Sequence, residues 1–154
     1  MKVLLTGGSG QLGQEIIKSK PEEIKIINPS RKTLDLSDYN ACKKFVKDHK
    51  PDWIINCGAY TQVDKAEKNT QLSKKINGFA LGAFVEAINE LNTYLLHLST
   101  DFVFDGNQNF PYKENQKRNP LSQYGYSKSL GEELIEKKIN DIEKATILRT
   151  SWVI

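Results

Sequence analysis

Tyr124 and Lys128 are the two residues of this sequence whose types and spacing most directly predict chemistry. They lie four positions apart in a segment of helical pattern, so their side chains share one face of the helix. An ammonium beside a phenol favours the ionised phenol and lowers its pKa from about 10, which suits a general acid or base. Tyr126 is a competitor, but it is rotated by about 200° from Tyr124 and is expected to face away from Lys128.

Hydroxyl and carboxylate side chains follow an apolar run that ends at Leu98. Ligands bind at the carboxyl ends of parallel strands. Thr100 is therefore expected to bond a substrate carbonyl and share the proton-donor role with Tyr124, and Asp101 is expected to hold a sugar or base hydroxyl. For Ser99 and Asp101, simple capping of the loop is an equal alternative. His97, inside the apolar run, is expected to be a hydrogen-bonded core residue.

A glycine-rich turn, Thr6 to Gly13, follows the first apolar run and opens the first helical segment. Gly7 suits a tight turn, Gly10 lets the backbone approach a pyrophosphate, and Gly13 lets the helix pack closely on the strand. The helix start then offers free N–H groups to phosphates. This context predicts a dinucleotide site, with a ligand-free flexible loop as the alternative.

Cofactor preference is expected to be set after the second strand, where an acidic residue would bond the adenosine ribose. Residues 27–32 read INPSRK and contain no carboxylate. Arg31, helped by Ser30 and Lys32, could instead pair with a 2′-phosphate. The sequence therefore favours NADPH over NADH, unless Arg31 is only a solvated charge. Small residues in the segment 56–61 would let a dinucleotide lie against the backbone.

Strand-length apolar runs alternate with helical segments along the chain, a pattern typical of βαβ units. We expect strands at residues 2–6, 24–28, 33–36, 53–57, 93–99 and 145–150, and helices at 11–18, 39–49, in two pieces between 64 and 91, and at 124–138. Ser37 or Asp38 would cap the second helix. Residues 105–119 are expected to form an active-site loop. The pattern predicts a Rossmann-type, doubly wound parallel sheet in three layers, α/β/α.

Composition limits the number of domains and the functional classes that the chain can belong to. A chain of 154 residues, 38% hydrophobic, suits one domain, and a net charge of +3 without a basic tract disfavours nucleic-acid binding. The sequence shows no signal-peptide pattern and no membrane span, which would need about 20 apolar residues. Cys42 and Cys57 have no metal-site spacing and are expected to be buried thiols in a reducing cytosol, so we expect a cytoplasmic protein.

With these residues assembled, the sequence resembles the extended short-chain dehydrogenase/reductases, and among them the dTDP-4-dehydrorhamnose reductases. The resemblance covers nearly the whole chain. It is carried by TGGSGQLG from Thr6, LDL at 34–36, PDWIINCGAYTQVDKAE at 51–67, STDFVFDG from Ser99, NPLSQYGYSK from Asn119 and RTSWV from Arg149.

The resemblance implies roles for individual residues. Gly10, Gln11 and Leu12 would contact the pyrophosphate, Asp35 and Leu36 the adenine side, Ala59, Tyr60 and Thr61 the middle of the cofactor, and Thr100, Asp101 and Trp152 the nucleotide-sugar. Tyr124 would donate the proton, Lys128 would hold the nicotinamide ribose, and Asn77 would support a proton relay. The implied reaction is hydride transfer to the C4 ketone of dTDP-4-dehydro-L-rhamnose, a step in making precursors of cell-surface polysaccharide.

Two features depart from the family pattern. Phe102 stands where the family often has tyrosine, and the sequence ends at Ile154, about half the family length. Residues 1–154 are therefore expected to be the NAD(P)-binding domain, with most of the C-terminal substrate-binding domain absent. Some members bind Mg²⁺ through glutamates; Glu15 matches one such position, but this chain does not support a metal site.

Other readings stay open on the sequence alone. The chain could be an excised fragment or a truncated product, and it could form a homodimer. A sister branch that reduces or epimerises another nucleotide-sugar is an alternative enzyme, and a non-catalytic NADP-binding regulatory subunit is an alternative of a different class.

Overall fold

The computed structural model describes residues 1–151. Trp152, expected to meet the nucleotide-sugar, lies outside the described residues. Five strands are described in this part of the chain: β1 Lys2–Thr6, β2 Lys25–Ile27, β3 Trp53–Asn56, β4 Tyr94–Thr100 and β5 Ala145–Thr150. Six α-helices accompany them: α1 Gln11–Ser19, α2 Tyr39–His49, α3 Val63–Ala66, α4 Thr70–Lys74, α5 Ala80–Ile88 and α6 Gln123–Lys138.

The described strands form one parallel sheet in the order β2-β1-β3-β4-β5. The chain moves one way from β1 to β2 and the other way from β2 through β3 and β4 to β5. Because parallel crossovers are right-handed, α1 lies on one face of the sheet, and α2, α5 and α6 lie on the other. The predicted Rossmann-type, three-layer arrangement is confirmed.

The main core fills the face covered by α2, α5 and α6. It joins alternate strand residues, such as Leu4, Ile54 and Leu95, to the buried side of α5, where Phe84 is fully enclosed. Val3 and Leu5 point to the opposite face and are also buried. Burial on both faces explains the near-continuous apolar character of the central strands. The outermost strand is less covered, and Leu148 is half exposed.

The predicted short strand at residues 33–36 is wrong. The backbone N–H groups of Thr33 and Leu34 donate to the carbonyl of Ser30, and that of Ser37 donates to the Asp35 carboxylate. These local bonds satisfy the backbone as turns, so the segment does not join the sheet. Leu34 is buried all the same, which is why its hydrophobic pattern resembled a strand.

Other expectations of local structure are met. Asp38, one of two predicted caps, accepts a hydrogen bond from the N–H of Ala41 at the start of α2. The two expected pieces between residues 64 and 91 are α3 and the continuous helical stretch 70–88, in which one π-helical turn, Lys75–Phe79, joins α4 to α5. Residues 105–119 contain no helix or strand. Within residues 1–151, none of the helices is long and apolar enough to cross a membrane.

Candidate active site

The glycine turn between β1 and α1 is fixed by backbone contacts. Gly7 has a φ of +71°, and a Cβ atom there would lie 2.6 Å from the backbone nitrogen of Gly58. At Gly13, a Cβ would lie 2.4 Å from the carbonyl oxygen of Gly7. Helix α1 thus packs tightly on the turn itself, rather than on the strand as the sequence suggested. Both glycines are required by this geometry.

A cavity of about 530 Å³ begins at this turn and runs over the carboxyl ends of β1 and β2. Its lining includes seven expected cofactor residues: Gly7, Gly10, Arg31, Asp35, Leu36, Ala59 and Thr61. The backbone bond from Ser37, aided by the nearby charge of Arg31, keeps the pKa of the Asp35 carboxyl below its ordinary value. A positive side chain and an open helix start are what a phosphorylated dinucleotide needs.

A second cavity of about 370 Å³ continues from the first toward α6. The two share Gly7, Gly10, Cys57, Ala59 and Thr61. The second cavity is also lined by the remaining residues of the glycine turn, Gln11, Leu12 and Gly13, and by Thr100, Tyr124 and Lys128. The fold therefore brings the glycine turn and the expected catalytic pair to one continuous groove, as the sequence predicts.

Tyr124 lies at the start of α6, against the segment that follows β4. The Thr100 hydroxyl donates to the Asp101 carboxylate at 3.0 Å and lies beside the Tyr124 side chain. The ring of Phe102 packs edge-on against Tyr124, with centroids 5.6 Å apart. Gly125 permits this approach, because a Cβ there would lie 2.2 Å from the carbonyl oxygen of Phe102.

The expected lowering of the Tyr124 pKa by Lys128 is wrong for this structure. Burial raises the pKa of Tyr124; the Thr100 bond opposes this only in part, and the charge of Asp101 adds to the rise. Lys128 instead donates to the Leu98 carbonyl at 2.6 Å. Its side chain is almost fully buried, and burial lowers its pKa to about 8. Tyr124 is therefore held as the protonated phenol.

Tyr126 faces away from this groove, as expected. Its side chain is 49% exposed, and the ammonium of Lys74 lies 5.0 Å above its ring. It lines neither cavity. The helical geometry thus distinguishes Tyr124 from its neighbour.

Asn77, in the π-helical turn, holds the segment after β3 to α6. Its side-chain oxygen accepts from the backbone N–H of Tyr60 at 2.7 Å, and its amide nitrogen donates to the Tyr60 carbonyl and to Ser127. Ser127 in turn donates to the Tyr124 carbonyl. The Asn77 side chain is thus committed to positioning these two segments, and its expected part in a proton relay stays a prediction.

A buried carboxylate, Glu132 in α6, holds the end of the 105–119 loop through Arg118. It accepts from Ser99 at 2.5 Å, from Arg118 at 2.9 Å and from Arg149 at 2.6 Å. Burial alone would raise the pKa of Glu132, but these three bonds outweigh it and hold the pKa below its ordinary value. Because the Ser99 hydroxyl is bonded to Glu132, Ser99 is better explained by a structural role than by a catalytic one. Sequence reasoning missed this cluster, since charge spacing alone did not signal it.

Some expected residues lie outside both cavities. Tyr60 contributes backbone bonds to Asn77, and its hydroxyl accepts from Asn69. Asp101 is exposed beside Thr100. Conversely, the sequence did not single out Asn28, whose side chain lies so close to Gly8 that a Cβ there would be 2.1 Å from its oxygen. The end of β2 was the available signal for Asn28.

The two cysteines differ in environment. Cys42 is fully buried, as expected, but Cys57 is only half-buried and lines both cavities. Burial raises the pKa of Cys42 to about 12 and that of Cys57 to about 11, so neither is a reactive thiolate at neutral pH. The expectation of a buried Cys57 is therefore only partly met.

Comparison with known proteins agrees with this geometry. A dTDP-4-dehydrorhamnose reductase of Burkholderia thailandensis is 37% identical over 153 residues, which are 99% of this chain and 50% of that protein. A reductase structure of the same name from Clostridium acetobutylicum superposes with a TM-score of 0.91 at 37% identity, covering 99% of this chain and 54% of that one. The structure of the Bacillus anthracis reductase in complex with NADP gives a TM-score of 0.90 at 36% identity, covering 98% and 53%.

The chain spans about half the length of the proteins it matches. A model of one protein family, described as the RmlD substrate binding domain, matches residues 1–154, the whole of the sequence. The glycine turn, the Tyr124 and Lys128 pair and the joined cavities lie within that match. The chain belongs to the RmlD substrate binding domain family, and the three relatives described above are dTDP-4-dehydrorhamnose reductases.

Proposed function

We propose that this chain is the NADPH-binding part of an enzyme that reduces the C4 ketone of dTDP-4-dehydro-L-rhamnose to dTDP-L-rhamnose. The observation that carries the proposal is the continuous groove that joins the glycine turn to Tyr124 and Lys128. The reductase names of the relatives, and the NADP bound to one of them, support the choice of substrate and cofactor.

Different residues of the groove bind different parts of the cofactor. The free N–H groups at the start of α1 bind the pyrophosphate, and Gly10 lets it approach the backbone. Arg31 pairs with the 2′-phosphate and favours NADPH, while NADH is the weaker alternative. Ala59 and Thr61 form the wall along the middle of the cofactor, Tyr60 holds this segment in place through its backbone bonds to Asn77, and Asp35 and Leu36 border the adenine. When bound, NADPH supplies the hydride for the ketone carbon.

The proton for the same step comes from Tyr124. Because its pKa is raised, the phenol is protonated at neutral pH and can donate to the C4 oxygen as charge develops there. Thr100 bonds that oxygen and orients the phenol, and Asp101 holds a sugar hydroxyl. Lys128 binds the ribose hydroxyls beside the nicotinamide. Exclusion of water from this half-buried corner strengthens each of these bonds.

The proposal extends to the setting of the protein. Residues 1–154 act as the cofactor-binding domain, and the rest of the substrate pocket is supplied by sequence corresponding to the second half of the relatives. The enzyme works in the cytoplasm, where NADPH and nucleotide-sugars are made available, and assembles as a homodimer.

Reductase turnover in a protein that contains this chain and the family's second half tests the proposal. Oxidation of NADPH is followed with dTDP-4-dehydro-L-rhamnose. Tyr124→Phe should lower kcat by about 10²- to 10⁴-fold and leave NADPH affinity unchanged. Tyr126→Phe is the matched control, because it removes a hydroxyl two residues away on the exposed face. Equal turnover of Tyr124→Phe and Tyr126→Phe would refute the role of Tyr124, and no turnover with this sugar would refute the substrate.

A further inference from the structure

Three polar side chains, Thr6, Asn56 and His97, form a buried row across the three central strands. They stand side by side in register on β1, β3 and β4, on the face that packs against α6. Thr6 and Asn56 are the last residues of their strands, and His97 lies in the middle of β4. Thr6 Oγ1 lies 2.5 Å from Asn56 Oδ1, and Asn56 Nδ2 lies 3.0 Å from His97 Nδ1. Each of the three side chains is at least 97% buried.

Both ends of this row contact residues that line the groove. At one end, Thr6 Oγ1 accepts from the backbone N–H of Gly58 at 3.1 Å, next to the glycine turn. At the other end, His97 Nε2 lies 3.5 Å from Lys128 Nζ, which also donates to the Leu98 carbonyl. Two positions earlier on the same face of each strand, the core residues are the apolar Leu4, Ile54 and Leu95. A buried row of polar groups at this place is costly unless every group is paired.

The protonation state of Lys128 fixes how the row can be paired. An ammonium has no acceptor, so His97 Nε2 must then be bare and the ring proton must sit on Nδ1. A neutral amine has a lone pair, so Nε2 can carry the proton and donate it to Nζ. A half-turn of the Asn56 amide presents its oxygen to Nδ1 in the first case and its nitrogen in the second. Both arrangements satisfy His97 without charging the ring.

We propose that His97 is a positioning residue for Lys128, and that its neutral ring changes tautomer as Lys128 gains or loses its proton, with Asn56 and Thr6 following. The ring then bonds Nζ in either state and keeps it against the Leu98 carbonyl. This row would link the protonation of Lys128 to the segment that holds the glycine turn. The idea rests on the proposed function only for the place of Lys128 at the nicotinamide ribose.

Few titratable groups face Lys128 and His97, so the link between the protonation of Lys128 and the tautomer of His97 can be tested. Lys128 is approached by Cys57 from the end of β3, by His97 from β4, and by Tyr124 and Glu132 from its own helix. Burial and the charge of Lys128 keep the pKa of His97 well below its ordinary value, so the ring does not become an imidazolium near neutral pH. A tautomer change is therefore separable from protonation.

The test is nitrogen NMR of the 154-residue chain with ¹⁵N-labelled histidine, between pH 6 and pH 10, without nucleotide. The sequence has two histidines, and His49→Gln assigns the second signal. Around the Lys128 pKa of about 8, the chemical shifts of the two ring nitrogens of His97 should show the ring proton moving from Nδ1 to Nε2. Nε2 should be bare at lower pH and protonated at higher pH. The sum of their protonation should stay at one proton.

Two variants make the result specific. Lys128→Met should abolish the exchange and leave one tautomer throughout the pH range, while Lys137→Met, on the same helix but 70% exposed, should leave it intact. A single constant tautomer in the wild-type chain, an imidazolium above pH 6, or an exchange that persists in Lys128→Met would overturn the proposal. Because no cofactor or sugar is present, none of these outcomes depends on whether the chain takes part in sugar reduction.

Discussion

Replacing Glu132 by glutamine should destabilise the fold far more than the same change at Glu136, one turn further along α6. Glu132 is fully buried and accepts from Ser99, Arg118 and Arg149. Glutamine keeps the shape but removes the charge that compensates two largely buried guanidinium groups. Glu136 pairs with Arg118 as well, but its side chain is 45% exposed.

The magnitude follows from this difference in burial. Breaking a buried ion pair by removing one partner costs about 3–5 kcal/mol. For a chain of this size, that loss should lower Tm by roughly 6–20 °C. The half-exposed pair of Glu136 is screened by solvent and should contribute no more than about 1 kcal/mol.

The effect of Glu132 should also depend on pH in a defined direction. Its pKa in the folded chain lies below the ordinary value of 4.5, so its stabilisation is fully present above that pH and is lost as the pH falls through the folded pKa. Urea unfolding followed by circular dichroism at pH 7 and at several values below 4.5 measures this. The gap between wild type and Glu132→Gln should be largest at pH 7 and should narrow on acidification. Equal unfolding midpoints for Glu132→Gln and Glu136→Gln at pH 7 would refute the reasoning.

Three further changes test the groove. Arg31→Ala should weaken NADPH binding by about 10- to 100-fold, as expected for a lost charged hydrogen bond, and leave NADH binding unchanged in a calorimetric titration; equal losses for both cofactors would contradict the 2′-phosphate role. Gly13→Ala places a Cβ 2.4 Å from the Gly7 oxygen and should abolish NADPH binding, whereas Gly82→Ala, whose Cβ has no contact closer than 3.5 Å, should keep it, and equal affinities would contradict the close packing. Alkylation followed by mass spectrometry should modify Cys57 slowly, faster as the pH rises toward its pKa of about 11, and NADPH should protect it while Cys42 stays unmodified; labelling unaffected by NADPH would place Cys57 outside the site.

The sheet and the glycine turn could be predicted from sequence because local signals and long-range packing agree there. The apolar runs at β1, β3 and β4 are buried on the sheet. Gly7 is required by its positive φ and by its contact with Gly58, and Gly13 by its contact with the nearby Gly7. The segment 33–36 shows where this reasoning fails. Its apolar residues are buried, but hydrogen bonds to Ser30 and Asp35 decide the backbone conformation, and hydrophobic pattern does not reveal such bonds.

The positions of the expected site residues agree with the sequence-based expectation better than their electrostatics do. Helical spacing places Tyr124 and Lys128 in one cavity, as expected. The predicted direction of the Tyr124 pKa shift was wrong because the shift depends on the burial of the phenol and on the direction of the Lys128 side chain, which donates to the Leu98 carbonyl in β4. Glu132 meets three other parts of the chain, at Ser99, Arg118 and Arg149, and His97 meets Asn56 across 41 residues, so single-sequence patterns could not reveal either set of contacts.

Binding of NADPH to the folded 154-residue chain tests the central claim most directly. Isothermal calorimetry, with circular dichroism to establish that each sample is folded, should give one saturable site per chain and a weaker one for NADH. The single substitution Gly13→Ala should remove the heat of binding without unfolding the chain, because its added Cβ meets the backbone of the turn. A folded wild-type chain that shows no saturable binding of either cofactor would contradict the claim that this groove is a dinucleotide site.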